Sequence, residues 1–214
     1  TKNKINHKNL ILEHKFKAHL IFKKINDLIR NKKMLDIAEK ILGPNILCWN
    51  SIIFYKKKYS KTFVGWHEDK TYWNLDNDKI LTFSIALSNS NIENGCLKFL
   101  KKKKKLEYEI LNSNYNMLAR GQNAILNSDD KFEEIELKPG ESCIFRQDAV
   151  HGSGENNSNE DRFLLAIRYI ATDNKTRKNH TSATLVRGFD NYNYYEHEPE
   201  PSEDFDKKCM IYHQ

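Results

Sequence analysis

The sequence predicts a mainly β chain with helices at its front end, folded as a β-sandwich or jelly roll. Three observations carry that prediction. Phe16, Leu20, Ile21, Ile25, Leu28 and Ile29 recur at spacings of three and four with charges between them, as helices require. After Gly43-Pro44 the pattern changes to short runs of β-branched and aromatic residues. Those runs follow one another without intervening helical periods, which disfavours a βαβ chain.

Taken in order, the first forty residues read as helix. A second, shorter helix fits Met34 to Leu42, with Leu35, Ile37, Ala38 and Ile41 as its apolar set and Gly43-Pro44 as its stop. Asn45 to Tyr55 reads as a buried strand. Lys79 to Leu87 alternates, with Leu81, Phe83, Ile85 and Leu87 on one face. Cys96 to Leu100 follows Asn94-Gly95 as a hairpin-like return. Phe132 to Leu137, Ser142 to Phe145 and Arg162 to Ile170 complete the strands, with Lys138-Pro139-Gly140 as a tight turn. The expectation is a single domain over 1–214: a helical layer at 1–43, the jelly-roll core at 45–170, and a polar tail at 172–214 that wraps over the core with little regular structure.

Composition limits what such a chain can be. It has 214 residues and 25.3 kDa, and aromatics at 11% supply material for a sizeable core. With eight Gly and four Pro it is neither collagen-like nor of low complexity. The net charge of +6 invites a nucleic-acid partner, but the basic residues are 28 Lys and seven Arg. Phosphate and base recognition leans on Arg forks, so the charge reads as solvated surface and no nucleic-acid partner is expected. The five lysines from Lys101 to Lys105 read likewise as a solvated loop. Cys48, Cys96, Cys143 and Cys209 form no C-x-x-C pair and read as reduced thiols of a cytoplasmic protein. No apolar run reaches the ~20 residues of a membrane span, so no membrane partner is expected. The chain starts at Thr1 without an initiator Met, which raises the expectation that residues precede it.

The chemistry concentrates in two segments. In Gly65-Trp66-His67-Glu68-Asp69-Lys70-Thr71-Tyr72-Trp73, a strand would point His67 and Asp69 the same way, so that an imidazole and a carboxylate could grip one metal ion. A second imidazole from a distant strand would complete a facial triad with three open positions. His151 stands where that ligand should be, after an apolar strand. Arg162 lies eleven residues further on, and a hairpin could bring it back beside His151. A buried guanidinium there would grip a carboxylate bidentately, with Ser153 adding a hydrogen bond. Each residue also has a plain structural explanation. His151 could cap or pack, and Arg162 could pair with Asp161 at the surface.

Together these pieces resemble the phytanoyl-CoA dioxygenase superfamily of non-haem Fe(II), 2-oxoglutarate-dependent oxygenases. The matching segments are Trp66-His67-Glu68-Asp69 with Tyr72-Trp73, Ser84-Ile85-Ala86-Leu87, Glu93-Asn94-Gly95-Cys96, Lys138-Pro139-Gly140-Glu141-Ser142 and His151-Gly152-Ser153…Asn157…Arg162. Leu185-Val186-Arg187-Gly188-Phe189-Asp190 is similar to tails in a bacterial branch that includes radical halogenases and small-molecule hydroxylases. The resemblance implies a double-stranded β-helix core, the cupin-like jelly roll, with His67, Asp69 and His151 as iron ligands and Arg162 with Ser153 at the distal carboxylate of 2-oxoglutarate. It also implies Asn50 near the cosubstrate, and Tyr72, Trp73 and Asn74 as pocket candidates. Strand-end hydrogen bonding would equally explain Asn50, and core packing would explain the two aromatics.

Two departures from the family pattern matter. Halogenases replace the carboxylate ligand by a small residue, so Asp69 argues for hydroxylation. Relatives also carry a Pro-Gly-Ser-His segment where this chain reads Phe99-Leu100-Lys101 to Lys105, so the lid is rebuilt or residues are missing around 99–111. The resemblance therefore implies Fe(II), 2-oxoglutarate and O2 as cofactors. The reaction would hydroxylate an unactivated C–H of a small polar metabolite, with release of succinate and CO2, in a monomer or homodimer. A nucleic-acid demethylase using the same cofactors, or an inactive jelly-roll binding protein, are the rival expectations.

Overall fold

The computed structural model describes residues 16–101, 105–111, 113–118, 120–177 and 181–213. Its helices are α1 (Ala18–Ile21), α2 (Lys23–Ile29), α3 (Lys32–Leu42), α4 (Lys70–Trp73) and α5 (Lys207–Met210). Its longer strands are β1 (Ile46–Lys56), β3 (Ile80–Ala86), β10 (Arg162–Ala171) and β11 (Ser182–Arg187). The shorter ones are β2 (Val64–His67), β4 (Leu97–Leu100), β5 (Tyr108–Ile110), β6 (Gln122–Ala124), β7 (Phe132–Ile135), β8 (Ser142–Phe145), β9 (His151–Ser153) and β12 (Glu196–His197). A six-stranded sheet runs β12-β11-β1-β10-β3-β8, a four-stranded sheet β2-β9-β4-β7, and β5 pairs with β6. This is the mainly β architecture with helices in front that the sequence predicts. No described helix is long and apolar enough to cross a membrane.

By contacts the chain divides into two compact units. The first takes in the chain up to Ile53, Leu75–Thr82 and the chain from Leu165 onward. Its core is Leu20, Ile21, Ile29, Ile46, Leu47 and Leu165, all without solvent exposure. The periodic stretch from Phe16 is not one helix but two, broken at Phe22, whose φ of −111° and ψ of 113° are extended. The break has a tertiary cause. The Ile21 carbonyl accepts from Phe205 N–H at 2.8 Å, and the Phe22 and Phe205 rings meet edge-on at 5.7 Å. The part of the expected helical layer before Phe16 lies outside the described residues. Helix α3 starts at Asn31, whose side chain accepts from the N–H groups of Lys33 and Met34, and ends at Gly43. It buries Leu35, Ala38 and Leu42, while Ile37 and Ile41 are exposed, contrary to the expected apolar set.

The tail is not irregular, as the sequence suggests, but adds β11 and β12 to the sheet. Ile46 pairs with Arg187, Leu47 with Leu185 and Cys48 with Thr184. Gly188 closes that strand at a φ of +72°, where a Cβ would lie 2.2 Å from Asn45 Oδ1. The same Asn45 oxygen accepts from Phe189 N–H, which seats the tail on the start of β1.

The second unit is Phe54–Asn74 with Phe83–Leu164. Residues of β3 are buried on both faces along its whole length, Thr82 and Ser84 included. Asn94-Gly95 does form a turn, with Gly95 at a φ of +75° where a Cβ would lie 2.3 Å from the Gly154 carbonyl oxygen. The turn does not return β4 beside β3, however. Strand β4 pairs with β7 and β9 in the other sheet, Phe99 lying opposite His151. Nor does a hairpin join β9 to β10, because they too belong to different sheets. Both corrections have one reason: a jelly roll passes successive strands between its sheets, and local turn chemistry cannot show that. The β5–β6 ribbon, polar and three residues a strand, gave no periodic signal. All four cysteines are free thiols.

Candidate metal centre

Strands β2 and β9 run antiparallel, with Val64 opposite Ser153 and His67 opposite His151 and an irregularity between them. The two imidazole rings stand 4.2 Å apart. Strand β2 ends at His67, and the chain then turns: Asp69 has helical torsions (φ −57°, ψ −34°) and opens α4. The sequence placed His67 and Asp69 on one face of one strand. The structure corrects that, since the turn after His67 swings the carboxylate round, leaving Asp69 Oδ1 3.6 Å from His67 Nε2. One ligand atom each from His67, Asp69 and His151 lies within 4.8 Å of the other two, and all three residues are buried.

The histidines are held alike. His67 Nδ1 lies 2.9 Å from the Gly65 carbonyl oxygen and His151 Nδ1 2.9 Å from that of Ala149. A carbonyl only accepts, so in each ring Nδ1 carries the hydrogen and Nε2 presents its lone pair. This is how metal-binding imidazoles are oriented. Phe99 and Phe145 lie 5.7 Å and 4.7 Å from the His151 ring, making one side of the site apolar. Two imidazoles and a carboxylate, with other positions open, are a donor set that suits non-haem Fe(II).

The other candidates divide. Arg162 is 1% exposed, and among the described residues its Nε and Nη1 have no hydrogen-bond partner. Burial lowers its pKa to about 10. It is therefore no surface ion-pair residue, and its buried N–H groups suit an anion. Ser153 is buried, and its Oγ accepts from Lys56 Nζ at 2.7 Å. Lys56 is wholly buried, and burial first, then the Arg162 charge, pushes it down to about 6. Sequence reading missed Lys56. The only signal was a lysine closing the apolar run Ile52-Ile53-Phe54-Tyr55, masked by Lys57 and Lys58 after it.

Asn50 lies on the first-unit part of β1, where its carboxamide oxygen accepts from Lys17 N–H at 3.3 Å. Tyr72 meets the His67 ring edge-on at 5.8 Å and carries Arg120 over its face at 5.2 Å. Its buried hydroxyl has no hydrogen-bond partner among the described residues. Trp73 is buried, whereas Asn74 is exposed with a φ of +52°, a left-handed backbone that Asn tolerates. Glu68, between the two ligands of the motif, is engaged elsewhere, by Lys70 Nζ at 2.8 Å and the Tyr108 hydroxyl at 3.3 Å. Burial and that carboxylate push Tyr108 up to about 12.

The family model for phytanoyl-CoA dioxygenase (PhyH) matches residues 1–164. The chain belongs to the PhyH family. Its relatives include a probable alpha-ketoglutarate-dependent hypophosphite dioxygenase of Stutzerimonas stutzeri, 31% identical over 183 residues, covering 83% of this chain and 60% of that protein. An ectoine dioxygenase of Streptomyces anulatus is 26% identical over 180 residues, covering 76% of this chain and 61% of that protein. The chain thus spans about 60% of the length of these curated relatives. Among solved structures, the non-heme monooxygenase ThoJ superposes with a TM-score of 0.77 at 26% identity, over 92% of this chain and 73% of that one. CytC3 with Fe(II) and alpha-ketoglutarate, at 21% identity and a TM-score of 0.59, shares the fold over 84% of this chain and 70% of that one. In this PhyH chain the run Lys101 to Lys105, read from the sequence as a solvated loop, falls partly outside the described residues. Within it, Lys101 pairs with Glu133 at 3.6 Å on the surface.

Proposed function

We propose that the chain is an Fe(II)- and 2-oxoglutarate-dependent dioxygenase that hydroxylates an unactivated C–H of a small polar metabolite. The observation that carries this is the convergence of His67, Asp69 and His151, each imidazole locked by a backbone carbonyl with Nε2 turned to the same place. In this reading those three residues hold iron from one side. Bound iron would supply the activation of dioxygen, one oxygen atom going to the substrate carbon and the other to 2-oxoglutarate as it becomes succinate and CO2. Arg162, buried and suited to an anion, takes the distal carboxylate of the keto acid, with Ser153 as hydrogen-bond donor. Phe99 and Phe145 keep water from the His151 side. Tyr72 and Trp73 face substrate, and Asp69 occupies the position that a halogenating enzyme would leave to a halide.

A small polar substrate is in keeping with relatives named for hypophosphite and ectoine. The test is Fe(II)-dependent succinate formation from 2-oxoglutarate, with and without candidate metabolites, in wild type, His67→Ala and Asp69→Ala. Succinate should fall to background in both variants; equal turnover would remove the ligand assignment.

A further inference from the structure

The second unit buries two basic side chains close together. Lys56, at the end of β1, is 0% exposed, and Arg162, at the start of β10, is 1% exposed. Each feels the other's surroundings, since the Arg162 charge acts on Lys56 and Cys96 acts on both. Neither has a carboxylate within ion-pair distance among the described residues. Instead Lys56 Nζ is ringed by three neutral oxygens: Ser153 Oγ at 2.7 Å, the Gly95 carbonyl at 3.5 Å and the Gly154 carbonyl. Three acceptors match the three hydrogens of an ammonium group, the form that a carboxylate bound beside Arg162 favours against the burial that holds the ligand-free amine at about 6. Glycine is required at position 95 for the backbone to come so near Gly154, so this cage is built by the fold.

A hydroxyl whose oxygen accepts from an ammonium group keeps its own hydrogen for another acceptor. Ser153 Oγ is in that position, and its hydrogen is therefore committed away from Lys56. We propose that Lys56 is a positioning residue for the keto-acid cosubstrate, holding Ser153 so that its hydroxyl donates to the distal carboxylate on Arg162 and placing a second positive charge behind it. This rests on the dioxygenase reading above. Its consequence is selectivity. A keto acid with a second carboxylate gains from the Lys56–Ser153–Arg162 cradle, whereas pyruvate, with none, gains nothing. Lys56 thus sets the preference for a dicarboxylic keto acid.

The experiment is calorimetric titration of 2-oxoglutarate and of pyruvate into Zn(II)-loaded protein, where no turnover occurs. Wild type should prefer 2-oxoglutarate. Lys56→Met should lose about tenfold or more in affinity for 2-oxoglutarate, with pyruvate changed by less than about twofold. Its ligand-free melting temperature, read beside the titrations, separates any cost of leaving the Gly95 and Gly154 carbonyls without their donor from the change in keto-acid preference. Ser153→Ala should lose a similar amount, and the double variant should be no worse than Lys56→Met alone, as expected of two residues acting as one device. Lys56→Gln, which keeps a donor without the charge, must also narrow the preference, and it covers the case in which Lys56→Met does not fold. Equal losses for both keto acids, an unchanged preference, or additive effects with Ser153→Ala would overturn the role of Lys56. Wild type that binds neither keto acid would instead overturn the dioxygenase reading.

Discussion

Replacing Glu198 by Gln tests the buried network that ties the tail into the first unit. The Glu198 side chain is fully buried. Its Oε2 accepts from Thr184 Oγ1 at 2.6 Å and meets His19 Nε2 at 3.0 Å, while its Oε1 accepts from Ser182 Oγ at 2.9 Å and from Lys17 Nζ. Burial by itself would raise the carboxyl's pKa, but the bonds and charges of His19 and Lys17 outweigh it and hold it at about 2, against an ordinary 4.5. At ~1.4 kcal/mol per pH unit that difference amounts to about 3 kcal/mol. The folded-state pKa is depressed, so this stability is fully present above 4.5 and is lost as pH falls through the window down to about 2. Urea unfolding of wild type and Glu198→Gln at about pH 7 should therefore show a gap of ~3 kcal/mol that narrows clearly by about pH 3. Equal stability at neutral pH, or a gap as wide in acid, would refute the reasoning.

Three further outcomes are expected. Arg162→Met should weaken 2-oxoglutarate binding by roughly 100-fold, since a bidentate charged contact is lost, while leaving the ligand-free protein no less stable to heat. Asp69→Ala should lower affinity for Fe(II) or Zn(II) in a metal titration by at least about tenfold, with circular dichroism showing the β fold retained. Gly188→Ala should lower stability by about 1–3 kcal/mol in urea unfolding, because a Cβ there meets Asn45 at a left-handed φ.

Much of the site was legible in the sequence because its elements are local. His67, Asp69, His151, Ser153 and Arg162 all lie at strand ends or in the turn beyond one, where apolar runs stop and polar residues begin. Strand positions from Ser142 to Phe145 and from Arg162 onward were readable from periodicity alone. The errors have other causes. Periodicity could not see the break at Phe22, which follows from Phe205, 183 residues later, competing for the Ile21 carbonyl. Nor could it see that Leu185, in a polar tail, pairs with Leu47. Lys56 was hidden because a lysine next to two more lysines looks like surface.

The sequence by itself determined residue chemistry and local conformation. It set the candidate ligand types, the helix stop at Gly43-Pro44, and a strand-rich chain after that point. Tertiary structure decided which strands are neighbours, and hence that His67 faces His151 across a pair and that the turn after His67 brings in Asp69. It also decided that Lys56 and Arg162 are buried basic groups. The physical reason is range: side-chain alternation and turn preference act over a few residues. Burial and strand partnership are set by contacts among segments far apart in the chain, and a linear pattern does not record them.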